Sequence, residues 1–430
     1  MKHGMYGFRK KTTWLIFASI NLIFVLWLSY ITKRLFAMGL ETKVFGVPGL
    51  VAQLTLAFFA VAGMFGLYRF LGRQTIQKFL DHRYFPILIF GTALIPRLIW
   101  LFGFGPVHLF SDYQLYMDLA SSIAVSGHIP EANRWYVSFA PYVLGYASFL
   151  AILFTLFGKS VLVAQLANVV FSGAIAVFLF LIGRKISGKA EIGVLAAGIF
   201  ILFPSQIAIN LFPGTEVPFM ALMVAALYVC LLIPNHRTRT PVFILLFSAI
   251  VLTILMNEIR PLGILILAAF CGFFVFINRF TRRTIVSKSV IMIIFLAAYF
   301  VTGTVSANIK DRFLGIPVAR NAYGFGLFLG LNESTLGRWS PEDSALSGNA
   351  ETLNVPAQQF HREMLSLSIQ RFRDLVDRQT VLQLFKNKVA VFWTDPYVFL
   401  DWTPLMVADT LQTKRILKVS ELITTSLYIV

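Results

Sequence analysis

The sequence predicts an all-α polytopic membrane protein, and three observations carry that prediction. First, 57% of the 430 residues are hydrophobic, only 13% are charged, and the mean hydropathy is +0.76. So little polar surface cannot cover so much apolar volume in a water-soluble globule. Second, the apolar residues come in runs close to the ~20 residues that a helix needs to cross a bilayer. Third, the net charge is +17, and most basic residues cluster in the short breaks between those runs. That is the positive-inside pattern, not a nucleic-acid-binding stripe, so nucleic acid is excluded as a partner. Cys230 and Cys271 both lie within apolar runs, so no disulfide framework or zinc site is implied.

The first apolar run, about Trp14 to Ile31, follows Lys2, Arg9, Lys10 and Lys11. It lacks a small-residue cleavage site and reads as a signal anchor, with a cytoplasmic N-terminus. A second span runs from about Pro48 to Phe70, and Arg69, Arg73, Lys78 and Arg83 return the chain to the cytoplasm. The third, about Tyr84 to Gly103, carries Arg97 beside Pro96. A charge at membrane depth costs roughly 2.5–3.5 kcal/mol on insertion scales, which makes Arg97 a functional candidate. The alternative is that it snorkels to the headgroups.

The third span delivers residues 108 to 120 to the external face. Ser111 followed by Gln114 is a capping-box pattern, which predicts a helix start with Asp112 in its first turn. Leu115, Tyr116, Leu119, Ala120, Ile123 and Ala124 then share one face and Gln114, Asp118, Ser121 and Ser122 another, as in a helix lying along an interface. The free N–H groups and positive dipole end favour an ionised Asp112 beside whatever binds there. The alternative is that Asp112 only decorates a helix start.

Apolar runs follow at about 138 to 157, 160 to 183 and 190 to 209. Three crossings would put Arg184, Lys185 and Lys189 outside. If the first run, broken by Pro141 and rich in aromatics, is a juxtamembrane or re-entrant helix, that basic loop is cytoplasmic. The chain then emerges at Pro204 to Pro218, where three prolines and a glycine break the helix, and Thr215 is placed to cap a helix with Glu216 in its first turn. A span to about Ile233 leads to Arg237 and Arg239, and Asn257-Glu258-Ile259-Arg260-Pro261 forms a tight outer turn. A span to about Ile277 reaches Arg279, Arg282, Arg283 and Lys288, and a last span, about 289 to 305, exits outward. The five cytoplasmic segments hold 17 Lys and Arg against six in the external ones, so charge bias and helix parity agree on one topology.

Three regions result: an N-terminal transmembrane hairpin (1–72), a core with external loops (73–307) and an external C-terminal region (308–430). The last contains the glycine-punctuated stretch from Gly324 to Asp343, with Trp339, and a helical pattern over 357 to 392. Trp393, Tyr397 and Trp402 suit an interfacial aromatic belt. Residues after Glu421 resemble the first half of another span, which suggests a truncated chain.

The ordered set Ser111-Asp112-xxx-Tyr116-xx-Leu119-Ala120 after the Arg97 helix, Leu181-Ile182-Gly183-Arg184-Lys185, Pro204 leading to Thr215-Glu216, and Arg260-Pro261 resembles the GT-C superfamily of polytopic glycosyltransferases, most nearly glycosyltransferase family 39. It covers about half the chain. The resemblance implies a GT-C-type helical bundle with juxtamembrane helices in the first large external loop, in the cell (plasma) membrane. It implies inverting transfer of a sugar from a polyprenyl-phosphate donor to an extracytoplasmic acceptor. Asp112 matches the catalytic base and Glu216 the acidic position of the second external loop, which in some relatives helps bind a divalent metal. The Asp-x-Asp pattern usual for a metal is absent here, so a metal held by Asp112 and Glu216 stays an open alternative. Arg97, Tyr116, Arg260 and Trp339 are the candidate substrate-binding residues, with arginine forks suited to phosphate oxygens. Glu258 and Arg260 forming a local ion pair is the competing reading of that turn. A lipid-linked-sugar flippase or a non-catalytic membrane subunit is the competing function.

Overall fold

The structure is a computed structural model that describes residues 62–105, 107–233, 239–276, 282–320, 322–394, 398–408 and 410–429. Most of the expected N-terminal hairpin, including its first span, lies outside the described residues. Every regular element among them is helical. Residues 62–71 lead into α1 (Gln74–Leu80), α2 (Phe85–Phe104), α3 (Ser111–Ser126), α4 (Glu131–Phe139), α5 (Tyr142–Phe157) and α6 (Val161–Ser187). Then come α7 (Ala190–Leu202), α8 (Pro204–Ala208) with a 3-10 turn (Ile209–Leu211), α9 (Glu216–Leu232), α10 (Arg239–Ile259), α11 (Gly263–Phe276) and α12 (Arg282–Leu314). The C-terminal region folds as α13 (Gly324–Gly330), α14 (Pro341–Thr352), α15 (Ala357–Asp377), α16 (Val381–Thr394), α17 (Val398–Met406) and α18 (Leu411–Ile429).

Four of these helices are long and apolar enough to cross a membrane: α2, α6, the Val242–Ile259 part of α10 and the Met292–Leu314 part of α12. A fifth results if α7 and the Pro204–Leu211 segment, bent by 66°, are one broken span. The chain is an all-α, multi-pass membrane protein. The 138–157 run is not one helix, because Ala140 and Pro141 separate α4 from α5. With 16 residues, α5 is shorter than the roughly 20 that a crossing needs.

The bundle is built around α6. Its hydroxyl cap at Ser160 accepts from the Leu162 N–H at 3.2 Å, and it closes on Gly188 in the left-handed conformation, with Arg184 and Lys185 complementing the negative dipole end. Small residues let neighbours approach closely: a Cβ on Gly183 would lie 2.9 Å from the Gly193 Cα, so α6 and α7 cross backbone against backbone.

Polar residues of α6 solve a different problem. Pro204 ends α7, and the irregular backbone that follows carries carbonyls that a continuous helix would have satisfied. Gln165 Nε2 donates to Leu211 O at 2.9 Å, Asn168 Nδ2 to Phe212 O at 2.8 Å, and Ser172 Oγ to Asn210 Oδ1 at 2.9 Å. All three side chains are buried on one helical face. Asn168→Leu should therefore destabilise the protein by about 1–3 kcal/mol, the cost of leaving a buried carbonyl without its donor. A lowered thermal midpoint in detergent is the expected reading, and an unchanged one would show that this face carries no stability.

The remaining helices form a cap. Trp135 Nε1 donates to Val355 O at 2.7 Å, Ala319 N to Ser138 O at 2.9 Å, and the ring of Phe139 stacks on His361 at 4.8 Å. A Cβ on Gly324 would sit 2.0 Å from the His361 carbonyl oxygen, so α13 meets α15 through bare backbone. The 357–392 helical pattern is two helices, α15 and α16, separated by Gln379 at φ 57°. Residues 422–429 continue α18, which begins at Leu411, carries Lys414, Arg415 and Lys418, and is not among the span-capable helices. Its Leu417 packs with Leu400 of α17 and Ala208 of α8.

His361 supplies the cap with a pH dependence. Its Nε2 faces the Phe139 carbonyl at 3.0 Å, and its Nδ1 accepts from Phe325 N at 3.4 Å, a pairing that needs the neutral ring. Burial lowers its pKa below the ordinary 6.5, and the Phe139 carbonyl only partly offsets this. The unfolded chain therefore takes up a proton first as pH falls below about 6.5, and stability declines from there. Thermal melts across pH 5–8 should show this decline shrink in His361→Gln.

Candidate active site

The strained turn before α3 aims the first acidic side chain. Ser111 has φ +51°, in the left-handed region that serine rarely adopts, and its side chain makes no cap bond. Gln114 instead donates to Asp118 at 2.9 Å. The capping box expected at Ser111 does not form, because the extended cap geometry falls on Phe110 and Ser111 is already the first helical residue.

Asp112 faces α4, where the Tyr136 hydroxyl donates to its carboxylate. Burial pushes the Asp112 carboxyl above its ordinary 3.8, while the Tyr136 bond and the Arg260 charge pull part of the way back. Burial raises Tyr116 and Tyr136 above the usual phenol value, and the Asp112 charge adds to this, so both stay protonated donors. Tyr113 is raised by burial first, then by Glu216, against Arg260, with Asp112 adding a smaller push. One phenol thus feels all three charged groups, and the structure brings Asp112, Glu216, Arg260 and Tyr116 into one neighbourhood.

Glu216 starts α9, and Thr215 is its cap residue, but the Thr215 hydroxyl is turned elsewhere. It accepts from Arg260 Nε at 2.9 Å, while Arg260 Nη2 donates to Glu216 Oε1 at 2.8 Å. The expected Thr215 cap is replaced by this fork, since a guanidinium gives a stronger bond than a helix N–H. A Cβ on Gly214 would lie 2.4 Å from Glu216 Oε2 and 2.7 Å from Tyr113 Cε1, so any larger residue there would displace the Glu216 carboxylate or the Tyr113 ring. Glu258 pairs with Lys310 of α12 at 2.6 Å, which removes the local Glu258–Arg260 pair as a reading of the turn. A Cβ on Gly145 would come within 2.0 Å of the Glu258 carbonyl oxygen, so α5 abuts the end of α10, and the Asp112 charge reaches its Tyr142.

Two candidates sit apart. Arg97 is fully buried: Nη1 donates to Ala93 O at 2.9 Å, Nη2 to Phe200 O at 3.2 Å, and the Phe200 ring lies 4.6 Å from the guanidinium. It neither snorkels nor forms an ion pair with Asp112 or Glu216. Trp339 is 68% exposed on the loop before α14. Tyr136, Tyr113 and Lys310 were not singled out from the sequence. For Tyr136 the signal was an aromatic-rich segment that reads equally well as interfacial packing.

The chain matches no protein-family model, no curated protein and no solved structure. Chemistry must therefore be read from the site itself. Among the described residues no group of three or more His, Cys, Asp or Glu gathers to hold a metal. One oxygen of Glu216 is occupied by Arg260, so Glu216 is committed to a cation already present in the chain. Two cavities lie elsewhere: one of about 330 Å³ lined by Arg184, Lys185 and Tyr228, the other of about 300 Å³ lined by Asn332, Arg371 and Arg378.

Proposed function

We propose that the protein is a membrane glycosyltransferase of the GT-C kind, moving a sugar from a polyprenyl-phosphate carrier to an acceptor hydroxyl. The observation that carries this reading is a carboxylate, Asp112, hydrogen-bonded to the Tyr136 phenol and lying in the field of Arg260 at one end of a membrane bundle. Asp112 takes the acceptor's hydroxyl proton as that oxygen attacks the anomeric carbon. The bond from that carbon to the phosphate oxygen breaks, and the lipid phosphate leaves with the electron pair, so the anomeric configuration inverts. Arg260 neutralises the departing phosphate, and Glu216 together with Thr215 fixes the guanidinium in place. Tyr116 is a protonated donor for sugar or acceptor hydroxyls, while the Tyr136 hydroxyl is engaged by Asp112. Exposed Trp339 offers an apolar face to an acceptor, and Arg97 stiffens α2 against α7.

The charge bias of the basic loops supports a cytoplasmic N-terminus and, in this reading, a site on the extracytoplasmic side of the plasma membrane. The buried Arg97 at membrane depth favours a second reading, a flippase for a lipid-linked sugar. The purified protein in liposomes with a panel of polyprenyl-phosphate sugars separates the two. Sugar transfer to an added acceptor is expected; donor crossing the bilayer without transfer would favour the flippase.

A further inference from the structure

Helix α15 carries two apolar stripes, and the core uses only one. Phe360, Met364, Ser368 and Leu375 are buried, on the side that packs on α13 and α4. Leu365, Ile369, Phe372 and Val376, at positions i, i+4, i+7 and i+11, form a second row that is between 42% and 50% exposed. At 100° per residue Arg362 and Arg373 border this row on the edge away from the buried face, and Glu363, Asp374 and Asp377 lie further round, beyond the arginines. Neither arginine joins an ion pair among the described residues. On α16, Leu382 and Phe385 are also exposed, at 64% and 68%, beside exposed Lys386.

We infer that the cap docks on the bilayer through α15, with this second stripe inserted at the headgroup boundary and Arg362 and Arg373 on anionic lipid phosphates. An apolar row edged by cations, with the acids turned away, is the pattern of a helix lying in a membrane interface. Guanidinium groups can bury their stems along the apolar surface while reaching phosphate. The bilayer is within reach, because α15 is tied to the end of spanning helix α12 through Arg320: its backbone N–H donates to Gln358 Oε1 at 2.7 Å, and its side chain donates to Asn308 at 2.9 Å and pairs with Asp311. A protein partner would be expected to bury a broad face, whereas this row is one residue wide with a charged margin.

The test uses the full chain in proteoliposomes, with Cys230 and Cys271 replaced by alanine and one spin label at 369, 372, 370 or 374. Labels at Ile369 and Phe372 should lose collision with an aqueous nickel reagent and gain it with oxygen, while labels at Gln370 and Asp374 stay open to nickel. Equal nickel access at Phe372 and Asp374 overturns the proposal, as does dipolar broadening at 372, which would place a second copy there. Arg362→Gln with Arg373→Gln should reduce the depth of label 372 in vesicles containing phosphatidylglycerol and not in pure phosphatidylcholine. The same depth in both vesicles for native and variant chains would overturn the phosphate contact. If a label at 372 lowers the yield of monodisperse protein, Val376 on the same row takes its place.

Discussion

Asp112→Asn is expected to cut sugar transfer by roughly 10²–10⁴, the range lost when a positioned general base is removed. The amide keeps the size of the carboxylate and can still accept from Tyr136, so the fold and the affinity for the lipid-linked donor should hold. What it loses is the ability to take a proton from the acceptor. The pH profile gives a second reading. Burial raises the Asp112 carboxyl above its ordinary 3.8, so the base is protonated and idle at a higher pH than a surface aspartate would be. Activity should climb with pH through that raised value. Tyr136→Phe should move the acid limb to still higher pH, because it removes a bond that favours the charged form. Near-native transfer by a well-folded Asp112→Asn would remove the base from the mechanism and shift weight to the flippase.

Much of this arrangement can be read from the residues alone, where one local rule acts without competition. The spans follow from hydropathy and length, and α2, α6, α10 and α12 fall on runs seen in the sequence. The break at Pro204 and the helix start at Glu216 follow from proline and glycine chemistry. Reading fails where a long-range partner outbids a local one. Ser111-xx-Gln114 has the spacing of a capping box, but the turn at Ser111 is left-handed and Gln114 binds Asp118. Thr215 has the identity of a cap, but Arg260, 45 positions away, claims its hydroxyl. Gln165, Asn168 and Ser172 look like dilute polar residues in an apolar run until the broken segment is placed beside them, where the first two satisfy its carbonyls and Ser172 holds the Asn210 side chain. Arg97 and Arg260 are equal candidates by residue type, and only packing separates a guanidinium held by backbone carbonyls from one held by a carboxylate.

Arg260→Ala should weaken both donor binding and turnover, unlike the change at Asp112. A hydrogen bond to a charged group is worth about 1.5–3 kcal/mol, and each ~1.4 kcal/mol is tenfold in affinity. Loss of the phosphate contact therefore predicts a roughly 10- to 100-fold weaker donor complex, with a further fall in turnover because the leaving phosphate carries more charge in the transition state. Folding should suffer little, since the Arg260–Glu216 pair is partly exposed, with side chains at 38% and 20% accessibility, and solvent screens it. Lysine is a poor substitute: it keeps the charge but cannot serve Thr215, Glu216 and phosphate from one planar fork. Glu216→Gln then tests what the acid does. If Glu216 acts by holding Arg260, the double variant Arg260→Ala/Glu216→Gln should be no worse than Arg260→Ala alone, because the two changes remove one device. Added divalent cation should leave Glu216→Gln unchanged. Additive losses, or rescue by cation, would instead make Glu216 an independent ligand and return the metal to the mechanism.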